Sequence, residues 1–214
     1  MTQDYRLNTT DQSRNKGKSK DWKEYWKNTE LVPSKREDKQ LPWLIDTLKK
    51  ELDINKIETV LEVGVGYGRV AKAILDTFPK IEDYHGVDIS ERAWNQSCEY
   101  LKGYEQFYAP PWEDFIELDY TGLYDLVISV ETMSCVPESE EWTIQMWIDK
   151  MCSLSKKYVV NLDYVKTTHP IFNNGHMYNR AYLSNKWNAE SEFNKDIISY
   201  PFSSNEKLFI FRVR

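Results

Sequence analysis

The chain has 214 residues, 41% of them hydrophobic and 29% charged, so it can bury one substantial core and is not an intrinsically disordered segment. Eight glycines and eight prolines exclude collagen-like and linker-dominated architectures, and no apolar run approaches the ~18 residues of a membrane span. The net charge of −6 argues against a protein whose main work is gripping a phosphate backbone. Charge is uneven, though: residues 1–40 hold ten Lys and Arg against seven Asp and Glu. Residues 1–20 read as a flexible basic leader, polar and without a signal-peptide core. Cys98, Cys135 and Cys152 are odd in number and scattered, which suggests reduced thiols in a cytoplasmic protein.

Trp22, Tyr25 and Trp26 fall at helical spacing. After a turn at Pro33, Leu41-Pro42-Trp43-Leu44-Ile45 opens a second amphipathic helix to about Leu52. Residues 21–57 are read as a helical cap segment ahead of the main domain, 58–214. Thr59–Val63 is a short run of β-formers ending in a glycine cluster, a buried strand. Arg69–Phe78 puts Val70, Ala73, Ile74 and Phe78 on one helical face. A strand over Asp83–Asp88, a helix over Glu91–Leu101 and a weak strand over Glu105–Ala109 follow. Tyr124–Val130 is the clearest strand, then a long helix over Glu138–Leu154 and a strand over Lys157–Val165. Glu190–Phe193 and Leu208–Val213 are two further strand candidates. Strands alternating with helices give an α/β domain with a largely parallel sheet.

Gly64-Val65-Gly66-Tyr67-Gly68 joins the first strand to its helix, where bare backbone lets a ligand approach the strand's carboxyl end. A dinucleotide turn, Gly-x-Gly-x-x-Gly, requires glycine at position 69, and this chain has Arg69. Glu62, two residues before the first glycine, would oppose a pyrophosphate but suits a ligand with an ammonium or sulfonium charge. The spacing Glu-x-Gly-x-Gly-x-Gly resembles the S-adenosylmethionine loop of class I methyltransferases. Two further stretches carry the resemblance: Tyr84-His85-Gly86-Val87-Asp88-Ile89-Ser90, and Tyr124-Asp125-Leu126-Val127-Ile128-Ser129-Val130-Glu131-Thr132-Met133. It covers residues 58 to about 165.

The resemblance implies a single doubly wound, mostly parallel seven-stranded sheet, with its last strand (Leu208–Val213) inserted antiparallel and an N-terminal helical cap. It implies S-adenosyl-L-methionine as cofactor, held by Glu62, Gly64, Gly66, Tyr67 and Gly68. Asp88 would accept from the two ribose hydroxyls, with Ile89 beside it. Trp112 would lie on the adenine ring with Glu113 or Asp114 near its exocyclic amine, and Ser129 and Val130 would border the methyl end. Many relatives have a histidine where this chain has Cys135. Ala109-Pro110-Pro111-Trp112 is similar to the Pro-Pro-aromatic motif of enzymes that methylate base amines. It begins with Ala109, however, and follows the third strand instead of the fourth.

Methyl transfer from a sulfonium needs mostly positioning and charge arrangement, and a hydroxyl acceptor also needs a base. Glu131, His176 and Tyr178 are the candidate catalytic residues; Asp163, Tyr164 and His169 lie in the same part of the chain, and His85 reads as structural. No metal-ligand spacing is present. Aromatics crowd the segments expected to flank the methyl: Trp22, Tyr25, Trp26 and Trp43, then Phe172, Tyr178, Tyr182 and Trp187. They suit a small-molecule or glycan-type acceptor, with core packing accounting for about half. The alternatives are a non-catalytic cofactor-binding partner subunit, and a nucleic-acid methyltransferase steered by a basic arm over Arg14–Lys27.

Overall fold

A computed structural model describes residues 37–110, 122–132, 144–164, 197–203 and 206–213. Trp22, Tyr25, Trp26, Trp112, Glu113, Asp114, Cys135, His169, Phe172, His176, Tyr178, Tyr182 and Trp187 lie outside the described residues, as do the leader and the strand expected at 190–193.

Seven strands form one sheet: β1 (Thr59–Val63), β2 (Asp83–Val87), β3 (Phe107–Tyr108), β4 (Tyr124–Val130), β5 (Ser155–Tyr164), β6 (Ile197–Ser203) and β7 (Glu206–Arg212). Their order is β3-β2-β1-β4-β5-β7-β6. Pairing is parallel from β3 through β5, while β7 runs antiparallel to both β5 and β6. The sheet is therefore mixed, not uniformly parallel, and its last strand is inserted antiparallel. Pro201 sits beside a register shift in edge strand β6. Proline survives at a sheet edge because no inner neighbour needs its missing N–H, and it hid this strand from a reading of the sequence.

Four helices are described: α1 (Glu37–Glu51), α2 (Arg69–Leu75), α3 (Glu91–Tyr100) and α4 (Ile144–Leu154). Helix α1 starts four residues before the expected Leu41. Its buried face begins with polar side chains, Glu37 and Gln40, before continuing through Leu44, Ile45 and Leu48. Hydrophobic periodicity cannot register such a start, and Pro42, which suggested an opening, lies inside the helix. Leu44 and Leu48 share a core cluster with Val70 and Ile74 of α2, Val60 of β1, Ile128 of β4 and Leu162 of β5.

Asp125, at the head of β4, fastens the sheet's centre at the end remote from the glycine turn. Its Oδ2 accepts from the Glu58 and Thr59 amides at 2.9 and 3.2 Å, and Lys157 reaches Oδ1 at 2.8 Å. Burial works against its charge, but Lys157 and the two amides hold the carboxyl below its ordinary range.

Candidate active site

The strand order reverses between β1 and β4, and their carboxyl ends open a crevice where α/β sheets bind ligands. The glycine turn lies there. The Gly64 and Val65 amides both donate to the Val87 carbonyl, at 2.8 and 3.0 Å, so the turn is docked on the end of β2. Gly64 takes φ +82°, and a Cβ there would lie 2.1 Å from Thr132 Oγ1. The turn thus presses against the residues that follow β4 at a distance no side chain permits. Gly68 at φ +91° starts α2, and a Cβ on it would meet Leu101 at 2.7 Å.

Asp88 follows β2 and organises the crevice. Its Oδ2 accepts from the Gly66 amide at 3.0 Å and its Oδ1 from the Ser90 amide at 2.8 Å. Burial raises its pKa and these two amides oppose the rise. Each oxygen retains a lone pair for a further donor. Ile89, beside it, is 41% exposed.

Glu62 lies on β1 beneath the turn, 2% exposed, accepting from the Tyr84 hydroxyl at 2.7 Å. Burial pushes its carboxyl up to about 8, against the opposing effects of Tyr84 and the Arg69 charge.

Glu131, directly after β4, has φ +58° and is the one non-glycine residue with positive φ among the described residues. Such a conformation costs roughly 1 kcal/mol or more and needs surrounding structure to hold it. Its amide donates to the Leu162 carbonyl at 2.7 Å, and its carboxylate accepts from Gln40 Nε2 at 2.9 Å and faces Arg69 Nη2 at 3.6 Å. Arg69 also approaches Glu37 at 3.9 Å, and Tyr67 donates to Glu37 at 2.7 Å. Ser129 and Val130, the last two residues of β4, are buried. Among the described residues, Ser129 Oγ and the Oδ1 of its register partner Asn161 have no hydrogen-bond partner.

The structure thus gathers Glu62, Gly64, Gly66, Tyr67, Gly68, Asp88, Ser129, Val130 and Glu131 about one crevice. It places two other singled-out residues in packing roles. Trp43 packs against Phe202 of β6, the rings tilted by 49° with centroids 5.0 Å apart. His85 meets the Tyr124 hydroxyl at 2.8 Å between the Tyr108 and Tyr124 rings, and burial lowers its pKa. Sequence reasoning missed Glu37, Gln40 and Glu206, and took Arg69 merely as a break in a dinucleotide pattern. A buried polar side chain on an amphipathic helix leaves no periodic signal. Among the described residues, no three His, Cys, Asp or Glu side chains converge as a metal cluster, and no helix is long and apolar enough to cross a membrane.

Residues 61–148 match a family described as a methyltransferase domain. No curated protein sequence matches the chain. Among solved structures, the N-methyltransferase NodS from Bradyrhizobium japonicum, in complex with S-adenosyl-L-homocysteine, superposes with a TM-score of 0.62 at 15% identity, covering 89% of this chain and 97% of that one. The magnesium protoporphyrin IX methyltransferase ChlM from Synechocystis, with bound S-adenosylmethionine, gives 0.60 at 13% identity over 89% and 90%. The methyltransferase domain of bacterial CtHen1 gives 0.62 at 14% identity over 82% and 97%.

The family match and the fold agree: this chain shares the architecture of solved methyltransferases. Residues 61–148 thus match a methyltransferase domain, and solved proteins of this fold hold S-adenosyl-L-homocysteine or S-adenosyl-L-methionine. The crevice fits that molecule: three glycines at positive φ leave the backbone bare, and Asp88 stands oriented by two amides with acceptor capacity to spare.

Proposed function

We propose that the protein methylates a small-molecule or glycan-type acceptor, with S-adenosyl-L-methionine supplying an electrophilic methyl on a sulfonium. The observation that carries the cofactor site is the bond from the Gly66 amide to Asp88, which ties the bare turn to the carboxylate at the end of β2. Asp88 accepts the ribose hydroxyls, and Gly64, Gly66 and Gly68 with Tyr67 cradle the amino-acid portion. Glu62 lies beneath the turn, where a bound ammonium or sulfonium charge would favour its ionised form and draw negative charge to the site. Ile89, Trp112 and Glu113 bound the adenine, while Ser129 and Val130 close the methyl end.

Glu131 is held in place by Arg69 at 3.6 Å and by Gln40 at 2.9 Å. Its role in this reading is to present fixed negative charge beside the methyl end, with His176 or Tyr178 receiving a proton where the acceptor is a hydroxyl. The net charge of −6 supports an acceptor other than nucleic acid. Free thiols at Cys98 and Cys152 support a reducing, cytoplasmic setting.

Isothermal titration with S-adenosylmethionine and S-adenosylhomocysteine tests the site. Binding should be present in the natural chain and weakened at least tenfold by Gly66→Arg or Asp88→Ala with the fold retained. Transfer of labelled methyl into lysate fractions then separates the acceptors. Label in the low-molecular-weight or glycan fraction supports the reading, and label confined to RNA or DNA refutes it. Cofactor binding with no transfer to any fraction identifies a non-catalytic partner subunit.

A further inference from the structure

The side chain of Gln40 on α1 is 0% exposed, yet every polar partner it has among the described residues is ionic. Its Nε2 donates to Glu131 Oε1 at 2.9 Å and to Glu206 Oε1 at 3.2 Å, while its Oε1 accepts from Arg69 Nη2 at 2.9 Å. The amide can sit only this way round. Turned over, it would set its oxygen against two carboxylates and its NH2 against a guanidinium. One neutral group therefore joins α1 to the start of α2, the residue after β4 and the first residue of β7.

The charges explain why the group must be neutral. Two carboxylate oxygens bonded to the same nitrogen lie within about 6 Å of each other, a repulsive separation away from bulk water. The titratable and charged groups around the amide, among the described residues, are Glu37 on α1, Tyr67 and Arg69 from the turn and α2, Glu131 after β4, and Glu206 on β7. Glu206 also accepts from Ser203 at 3.2 Å. A double N–H donor between Glu131 and Glu206 screens them from each other, and its carbonyl holds Arg69 beside Glu131.

We propose that Gln40 is a positioning residue for methyl transfer: it separates the Glu131 and Glu206 carboxylates and, through Arg69 and Glu131, fixes the spacing between the cofactor turn and the end of β4. This rests on the reading that the turn and the end of β4 hold the cofactor. Gln40 is fully buried and acts through its three partners.

The test compares Gln40→Met, close in shape but without the bonds, with Gln40→Glu, which replaces the donor by a third carboxylate. Titration of S-adenosylhomocysteine from pH 6 to 8.5, with circular dichroism to check folding, reads both. Gln40→Met should weaken binding about tenfold at every pH relative to the natural chain. Gln40→Glu must take up a proton to be tolerated, so its deficit should widen at least tenfold as pH rises. The exchange Gln40→Glu with Glu206→Gln restores the charge count and should narrow that gap. If the natural chain binds neither S-adenosylmethionine nor S-adenosylhomocysteine, the cofactor reading fails. If it binds and both single variants stay within threefold of it across the range, the positioning role is overturned. A Gln40→Glu deficit that does not change with pH, or loss of fold in both variants that Glu206→Gln does not repair, overturns it equally.

Discussion

Replacing Glu62 by glutamine removes a carboxyl that the fold holds protonated, and the effect should grow with pH. Burial raises this group from an ordinary 4.5 to about 8 in the folded chain. The unfolded chain therefore releases the proton in a window where the folded chain keeps it, and stability falls as pH rises from 4.5 to 8. The stabilising contribution is complete below the unfolded value and gone above the folded one. At 1.36 kcal/mol per unit, the loss is about 3 kcal/mol by pH 7 and on the order of 5 kcal/mol across the window. Glutamine keeps the shape and can still accept from Tyr84, but it does not titrate. Urea unfolding at intervals between pH 5 and 9 should show the two proteins nearly matched at the acid end. The variant should be ahead by about 3 kcal/mol at neutrality, or roughly 8 °C in Tm for a chain of this length. The same variant should lose at least tenfold in affinity for cationic S-adenosylmethionine and less for S-adenosylhomocysteine, whose sulfur is neutral. Unfolding curves that stay parallel across the pH range would refute the argument, because they would mean that Glu62 is ionised in the folded protein.

Gly64→Ala would set a methyl 2.1 Å from Thr132 Oγ1 at φ +82°. Cofactor affinity should fall at least a hundredfold, and a second change, Thr132→Gly, should recover part of it by relieving the contact but not the backbone strain; calorimetry checks both. Asp125→Ala leaves two amides and Lys157 without their shared partner, and should cost about 2–4 kcal/mol in urea unfolding with cofactor affinity unchanged. Trp43→Ala removes the ring packed on Phe202, and should lower stability by about 2–4 kcal/mol while cofactor binding stays within threefold.

The sheet's centre was legible because a buried parallel strand is a continuous apolar run: β1 and β4 fall on the residues read for them. The glycine turn and Asp88 were legible because their spacing is local, with glycines and an acidic residue at set distances along one stretch of chain. The opposite wall was not. Gln40, Arg69, Glu131 and Glu206 have no common periodicity, and only the fold brings them together. Strand β6 was missed because proline counts against a strand everywhere except at an edge, and edge position is a property of the folded sheet. Trp43 shows the converse limit. An aromatic residue near the start of a helix could serve an acceptor or the core, and its contact with β6 shows the core.

The bonds from Gln40 span 91 residues to Glu131 and 166 to Glu206. Contacts that distant close late, because the loop entropy of joining them must be met before they return any stabilisation. The glycine turn, Asp88 and their three strands can form from a short stretch of chain, whereas the wall facing them waits for β7 to pair beside β5. A ribosome-bound chain lacking β7 would carry a half-built crevice, with Glu131 and Arg69 in place and no Glu206 opposite them. Closure of this wall is thus expected to be a late step in folding, reached when β7 docks beside β5.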